Sequence, residues 1–273
     1  MELGIISDEI SLDLEEAFRL GEELGFRKYE IRCFDDYEHR IPNLFPGRID
    51  RLKELVDNGT IEVTAITPGT FKIKPDETDQ LRKELEEILP RTCELARELK
   101  APTIITFGFM SSPGVGNEEV VRRIREAGQI VGEFQLQLAV ENEPGSYCDT
   151  GARTADVVKA VDLPHVGINW DPANAEVSGE AAYPLGYEAI KPWLLNVHIK
   201  DAIHVPPDQW ENRLIGDGAV NWLGQMRSLL RDKPVRHLTL ETHVFPLLQS
   251  TKEDLRRLRI LFEHARQLGN IPE

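Results

Sequence analysis

The chain has 273 residues, of which 41% are hydrophobic and 29% charged, enough apolar material for a large core and too mixed in sign for a disordered segment. With 47 acids against 32 bases the formal charge is −15, so a phosphate backbone is on average repelled and nucleic acid is not the expected partner. The opening MELGIISDEI lacks a basic stretch before an apolar one, no run reaches the roughly 18 apolar residues of a membrane span, and Cys33, Cys93 and Cys148 stand in unlike contexts as reduced thiols; the expectation is a cytoplasmic protein that does not enter a membrane.

In chain order, short strand-like runs alternate with amphipathic helical segments. The runs are ELGII (2–6), KYEIR (28–32), IEVTAIT (61–67), PTIITFG (102–108), LQLAVE (136–141), VGINWD (166–171), LLNVHIK (194–200) and RHLTLE (236–241), with starts about 26 to 42 residues apart, the size of a βαβ repeat. After the first run, SLDLEEAFRLGEELGF has Asp13 and Glu16 at capping-box spacing, Leu14, Phe18 and Leu24 near one face, and Gly25 placed for a left-handed stop. PGRIDRLKELVDNG repeats the design and closes on Gly59. The stretch from Thr78 to Leu99 is the longest of these, and Pro90 within it predicts a kink or a break. No linker or low-complexity tract divides the chain, so residues 1–273 are expected to form one domain.

Repeated βα units predict an α/β fold with a parallel sheet. An open doubly wound sheet usually carries a glycine-rich phosphate loop after its first strand, but SDEISLD follows ELGII without a glycine. GFMSSPGVGNEE (108–119) matches neither a Walker loop nor the dinucleotide fingerprint. The expected fold is therefore a single (β/α)8 TIM barrel.

A barrel puts its chemistry at the carboxyl ends of its strands, and the last four runs end on Glu141, Asp171, His198 and Glu241. Each has a plainer reading: a solvated loop start, a helix cap, a satisfied core histidine, a partner for Arg236. Four such ends on consecutive strands would gather like charges in one low-dielectric pocket, and a cation is the natural compensation. Three carboxylates and an imidazole form a hard, oxygen-rich set, so Mn²⁺ is expected first, with Mg²⁺, Zn²⁺ or Co²⁺ as alternatives.

The ordered set AVENEPG, GINWDPAN, NVHIKD, GDG (216–218) and TLET resembles the xylose isomerase-like TIM barrels over essentially the whole chain. The resemblance implies metal ligands at Glu141, Asp171, His198 and Glu241, with Glu141 and Glu241 also acting as catalytic acid and base. It implies a metal-dependent sugar, sugar-phosphate or keto-polyol isomerase or epimerase that works by proton transfer through an enediolate, and it is compatible with a homo-oligomer paired through outer helices.

Around that set, Lys200 suits a substrate oxygen, since an ammonium has no lone pair for a metal. Asp201 either orients a ligand from behind or caps the next segment. Arg213 either binds a hydroxyl or phosphate or is a solvated loop residue, and Trp170, with Phe71, Phe107 and Phe109, either walls the pocket or packs in the core. At Asn174 the sequence departs from the histidine common in sugar epimerases of this kind; an amide can hydrogen-bond a substrate but carries no proton.

Other readings stay open on the same residues. An enediolate can expel a β-hydroxyl instead of being reprotonated, which makes a keto-inositol-type dehydratase the nearest rival. A non-catalytic sugar- or metal-binding barrel is another. An endonuclease IV type of phosphoesterase needs a three-metal cluster, and AITPGTF, ITFGF and GDGAV lack the histidines it would require.

Overall fold

A computed structural model describes residues 1–206 and 209–269. The strands are β1 (Glu2–Ile6), β2 (Lys28–Ile31), β3 (Glu62–Ile66), β4 (Thr103–Phe107), β5 (Gln137–Glu141), β6 (Val166–Trp170), β7 (Leu194–Ile199), β8 (Asp201–Val205), β9 (Gln209–Arg213) and β10 (His237–Leu240). Eight of them close a parallel barrel in the order β1, β10, β7, β6, β5, β4, β3, β2, while β8 and β9 pair antiparallel as a separate hairpin. The eight runs expected from periodicity are these eight barrel strands, each within a residue at either end. The hairpin was not anticipated, and it moves Arg213 from the expected loop to the end of a strand.

The helices are α1 (Leu14–Leu24), α2 (Arg48–Asp57), α3 (Thr78–Lys83), α4 (Leu89–Glu98), α5 (Asn117–Glu133), α6 (Gly151–Val161), α7 (Pro172–Val177), α8 (Tyr187–Ile190), α9 (Trp222–Asp232) and α10 (Leu247–Gly269). Asp13 caps α1 by accepting the Glu16 N–H at 2.8 Å, and Gly25 ends it at φ +89°, where a side chain would be strained. Pro90 does not break its segment, which stays helical from Thr78 to Glu98. The turn from Glu84 to Ile88 widens into a π-helix between α3 and α4, and such a turn absorbs an irregular backbone bond without stopping the helix.

Side-chain direction follows the two-residue alternation of strands. On β2, Tyr29 and Ile31 face outward into the main apolar cluster between barrel and helices. The interior begins with a small apolar plug of Ala65, Ile105 and Ala139. Above it lies a polar layer, in which parallel registers set Asn169 beside Glu141, Asn196 beside Asn169, and Thr239 beside His198. The three cysteines are free and buried, and burial pushes each thiol up to about 12. No described helix is long and apolar enough to cross a membrane.

Candidate metal centre

Four adjacent strands of the ring deliver one side chain each: Glu141 closes β5, Asp171 follows β6, His198 lies on β7 and Glu241 follows β10. All four are buried, and one donor atom from each lies within 4.8 Å of the others. Nδ1 of His198 is 3.4 Å from Glu141 Oε1 and 3.3 Å from Glu241 Oε2. Its other nitrogen, Nε2, is 2.8 Å from Oε2 of Glu30, which reaches across from β2.

These contacts test whether a divalent ion suits the residues present. A neutral imidazole that donates Nε2–H to Glu30 leaves a bare lone pair at Nδ1, and that lone pair faces two carboxylate oxygens. The arrangement is repulsive unless positive charge, a proton on Nδ1 or a bound cation, lies among them. Asp171 uses Oδ1 to accept the Asn174 N–H at 3.0 Å, capping α7. Its buried Oδ2 is paired with Nζ of Lys200 at 2.6 Å. Three carboxylates and one imidazole nitrogen, with donor atoms within 4.8 Å of one another, fit a hard divalent cation.

Charge in the pocket is finely opposed. Burial disfavours an imidazolium at His198, yet the carboxylates of Glu30, Glu141 and Glu241 outweigh it and hold the pKa well above its usual value. Burial also disfavours ionised Glu241, but Lys200, His243 and His198 hold its carboxyl well below the ordinary range. At Asp171 burial prevails over the attraction of Lys200, and the carboxyl is raised. Lys200 itself stays an ammonium: burial opposes its charge, but Asp171 and Glu241 push its pKa upward.

A second group, Glu9, Glu241 and His243, also brings donor atoms within 4.8 Å, but Arg32 already supplies its cation. The guanidinium lies 2.6 Å from Asp8 Oδ2, 3.0 Å from Glu241 Oε1 and 3.3 Å from Glu9 Oε1. His243 is bound twice by Glu9, through its backbone N–H at 2.8 Å and through Nδ1. Arg32 therefore holds one oxygen of Glu241 while the other faces His198 and Lys200.

The remaining expected site residues divide. Lys200 lies in the pocket, 3.3 Å from Glu241 Oε2 as well as beside Asp171. Asn174 is at its edge and ties two loops together, donating from Nδ2 to the Asn142 carbonyl at 2.8 Å and to Glu143 at 3.3 Å. Trp170 is not a pocket wall. It registers with Val197 on the outward face and is wholly buried in the apolar cluster, because its neighbours Asn169 and Asp171 take the inward direction. Phe71 and Phe109 are likewise fully buried, stacked with ring centroids 4.7 Å apart. Phe107 shares the inward register of Glu141 and carries Nζ of Lys72 over its ring at 4.7 Å.

Asp201 does not reach a ligand. Its carboxylate accepts backbone N–H groups from Ala202, Gly216, Gly218 and Val220 at 3.0, 2.9, 3.3 and 3.2 Å, anchoring the GDG loop. Arg213 pairs with Glu211 at 2.6 Å within the same strand of the hairpin. The group that does stand behind His198 is Glu30, which sequence reasoning missed along with Asp8, Glu9, Arg32 and His243. A signal existed in KYEIR, where Glu30 and Arg32 share the face opposite Tyr29 and Ile31.

The model of the family described as xylose isomerase-like TIM barrel matches residues 18–261. No curated protein matches the chain. Among solved structures, an L-ribulose 3-epimerase superposes with a TM-score of 0.78 at 14% identity, covering 99% of this chain and 97% of that one. The IolI protein with a bound zinc atom gives 0.77 at 18% identity, covering 97% and 98%. The probable 3-DHS dehydratase AsbF from Bacillus anthracis gives 0.75 at 18% identity, covering 95% and 99%.

Proposed function

The chain belongs to the xylose isomerase-like TIM barrel family, and from that premise we propose that it is a metal-dependent isomerase or epimerase of a sugar, sugar phosphate or keto-polyol, using Mn²⁺. The carrying observation is the meeting of donor atoms from Glu141, Asp171, His198 and Glu241 within 4.8 Å. These four residues would hold the ion. When bound, it would polarise a ketose carbonyl and the adjacent hydroxyl and so stabilise enediolate charge.

The protein's own groups account for the proton traffic. Glu141 and Glu241 stand three strands apart around the ring, so they approach a substrate from separate directions. One takes the proton next to the carbonyl and the other returns one. Return to the opposite face gives an epimer, and return to the neighbouring carbon gives an aldose–ketose isomer. Lys200 offers an ammonium to a substrate oxygen, Asn174 sits where its amide can meet a hydroxyl, and Phe107 supplies an apolar wall. A sugar epimerase and a dehydratase among the structural neighbours support a small hydroxy-ketone as the substrate class.

The test is incubation of candidate ketoses in D₂O with Mn²⁺. Deuterium is expected at the carbon beside the carbonyl, with the product otherwise unchanged in formula. Loss of water from the substrate would assign a lyase in place of the isomerase, and binding without exchange would assign a sugar-binding barrel.

A further inference from the structure

The polar layer beneath the metal site contains a carboxylate with no part in the proposed chemistry. Glu30 lies on β2 and is fully buried. Oε1 accepts the Thr67 hydroxyl at 2.5 Å, and Oε2 accepts from His198 Nε2 at 2.8 Å and from Asn196 Nδ2 at 3.4 Å. Its strand neighbour of the same parity, Arg32, is turned instead to Asp8, Glu9 and Glu241. A carboxylate buried this deeply needs a charged or strongly donating partner, and among the described residues the His198 imidazole is the ring that meets it.

We propose that Glu30 is a positioning residue for the metal centre: by accepting Nε2–H of His198 from across the barrel, it sets the tautomer that turns the Nδ1 lone pair toward Glu141 and Glu241. Carboxylates face both ring nitrogens and can only accept, but the Glu30 contact is the short one, 2.8 Å against 3.4 and 3.3 Å to Glu141 and Glu241, so a proton displaced from Nδ1 by an ion stays on the Glu30 side. Asn169 does not discriminate between the tautomers, since its Nδ2 lies 3.2 Å from Nδ1 and 3.3 Å from Nε2. Thr67 fixes the other oxygen of Glu30 and hence the direction of the lever. The same carboxylate makes the imidazole a stronger donor to an ion. This inference rests on the proposed metal site and adds the residue that aims its single nitrogen.

The experiment uses the full chain with ¹⁵N-labelled histidine and Zn²⁺ as the probe, read by calorimetry and by imidazole nitrogen spectra. In the wild type, Nε2 of His198 should carry the proton and Nδ1 the zinc. Glu30→Met should weaken Zn²⁺ binding about 10- to 100-fold and lose the single-tautomer signal. Glu30→Gln keeps an acceptor of the same shape without charge; it should retain the tautomer with a smaller loss of affinity, and it carries the test if the Met variant does not fold. A merely structural Glu30 would lower the melting temperature and leave the zinc affinity and the nitrogen spectrum of the folded variants unchanged, which overturns the inference, as would zinc on Nε2. If the wild type takes up no zinc at these four residues, the metal-dependent reading falls with it; if the wild type binds zinc and its Glu30 variants match it, only the role of Glu30 falls.

Discussion

Nζ of Lys200 lies 2.6 Å from Oδ2 of Asp171, with the aspartate wholly buried and the lysine nearly so. The same ammonium is 3.3 Å from Glu241, so two of the proposed ligands share one protein cation. Removing one member of a buried ion pair leaves an uncompensated charge. Lys200→Met is expected to destabilise the metal-free protein by about 3–5 kcal/mol. Saturating Mn²⁺ should recover most of that loss, because the ion supplies positive charge to the same carboxylates. Melting curves with EDTA and with Mn²⁺ check this, and an equal loss in both contradicts it.

Glu241 is the junction of the pocket, with one oxygen held by Arg32 at 3.0 Å and the other facing His198 and Lys200. Glu241→Gln keeps an acceptor for Arg32 but removes the group proposed to carry a proton. Turnover, measured as deuterium exchange into a ketose, is expected to fall by about 10²–10⁴, while the folded state persists. A variant that binds its ligand less tightly yet exchanges at the wild-type rate would count against a catalytic role.

Asp201 tests the difference between standing near a site and serving it. Its four backbone contacts make it the anchor of the loop containing Gly216 and Gly218. Asp201→Ala should lower stability by at least about 2 kcal/mol, because buried N–H groups lose their acceptor. Mn²⁺ affinity should stay within about threefold of the wild type, as expected for a group with no shared partner at the metal site. Denaturant unfolding and calorimetry separate the two effects.

Away from the pocket, burial lifts the Asp254 carboxyl from 3.8 to about 6, while Oδ1 accepts the Ile215 N–H at 2.8 Å. The folded state therefore holds this proton more tightly than the unfolded chain does. The resulting stabilisation is full below about pH 4 and is lost as pH rises through about 6. A shift of this size corresponds to about 3 kcal/mol. The stability of Asp254→Asn relative to wild type should accordingly rise by about 2–3 kcal/mol between pH 4 and pH 7, as measured by denaturant unfolding at each pH; a constant offset would contradict the assignment.

Much of the architecture was legible because it is written in neighbouring residues. Alternation and turn chemistry placed the eight barrel strands, Asp13 and Gly25 marked the ends of α1, and parallel closure sent Glu141, Asp171, His198 and Glu241 to one mouth. Trp170 was misjudged as an open question although its parity beside Asp171 already pointed it outward. At Pro90 the irregularity falls in the turn just before it, as a π-helix rather than a break, since whether a proline breaks a helix or is absorbed by a wider turn depends on what packs around it.

The chain's order of residues determined which side chains stand at strand ends, and with them the acidic, single-imidazole character of the pocket. Only the tertiary structure decided which groups touch. Glu30 meets His198 from 168 positions away, Arg32 reaches Glu241 past the intervening β1, and Asp201 turns to a loop rather than to its neighbouring histidine. The physical reason is that contacts through a barrel interior depend on the tilt and stagger of every strand together, a quantity that no single segment carries.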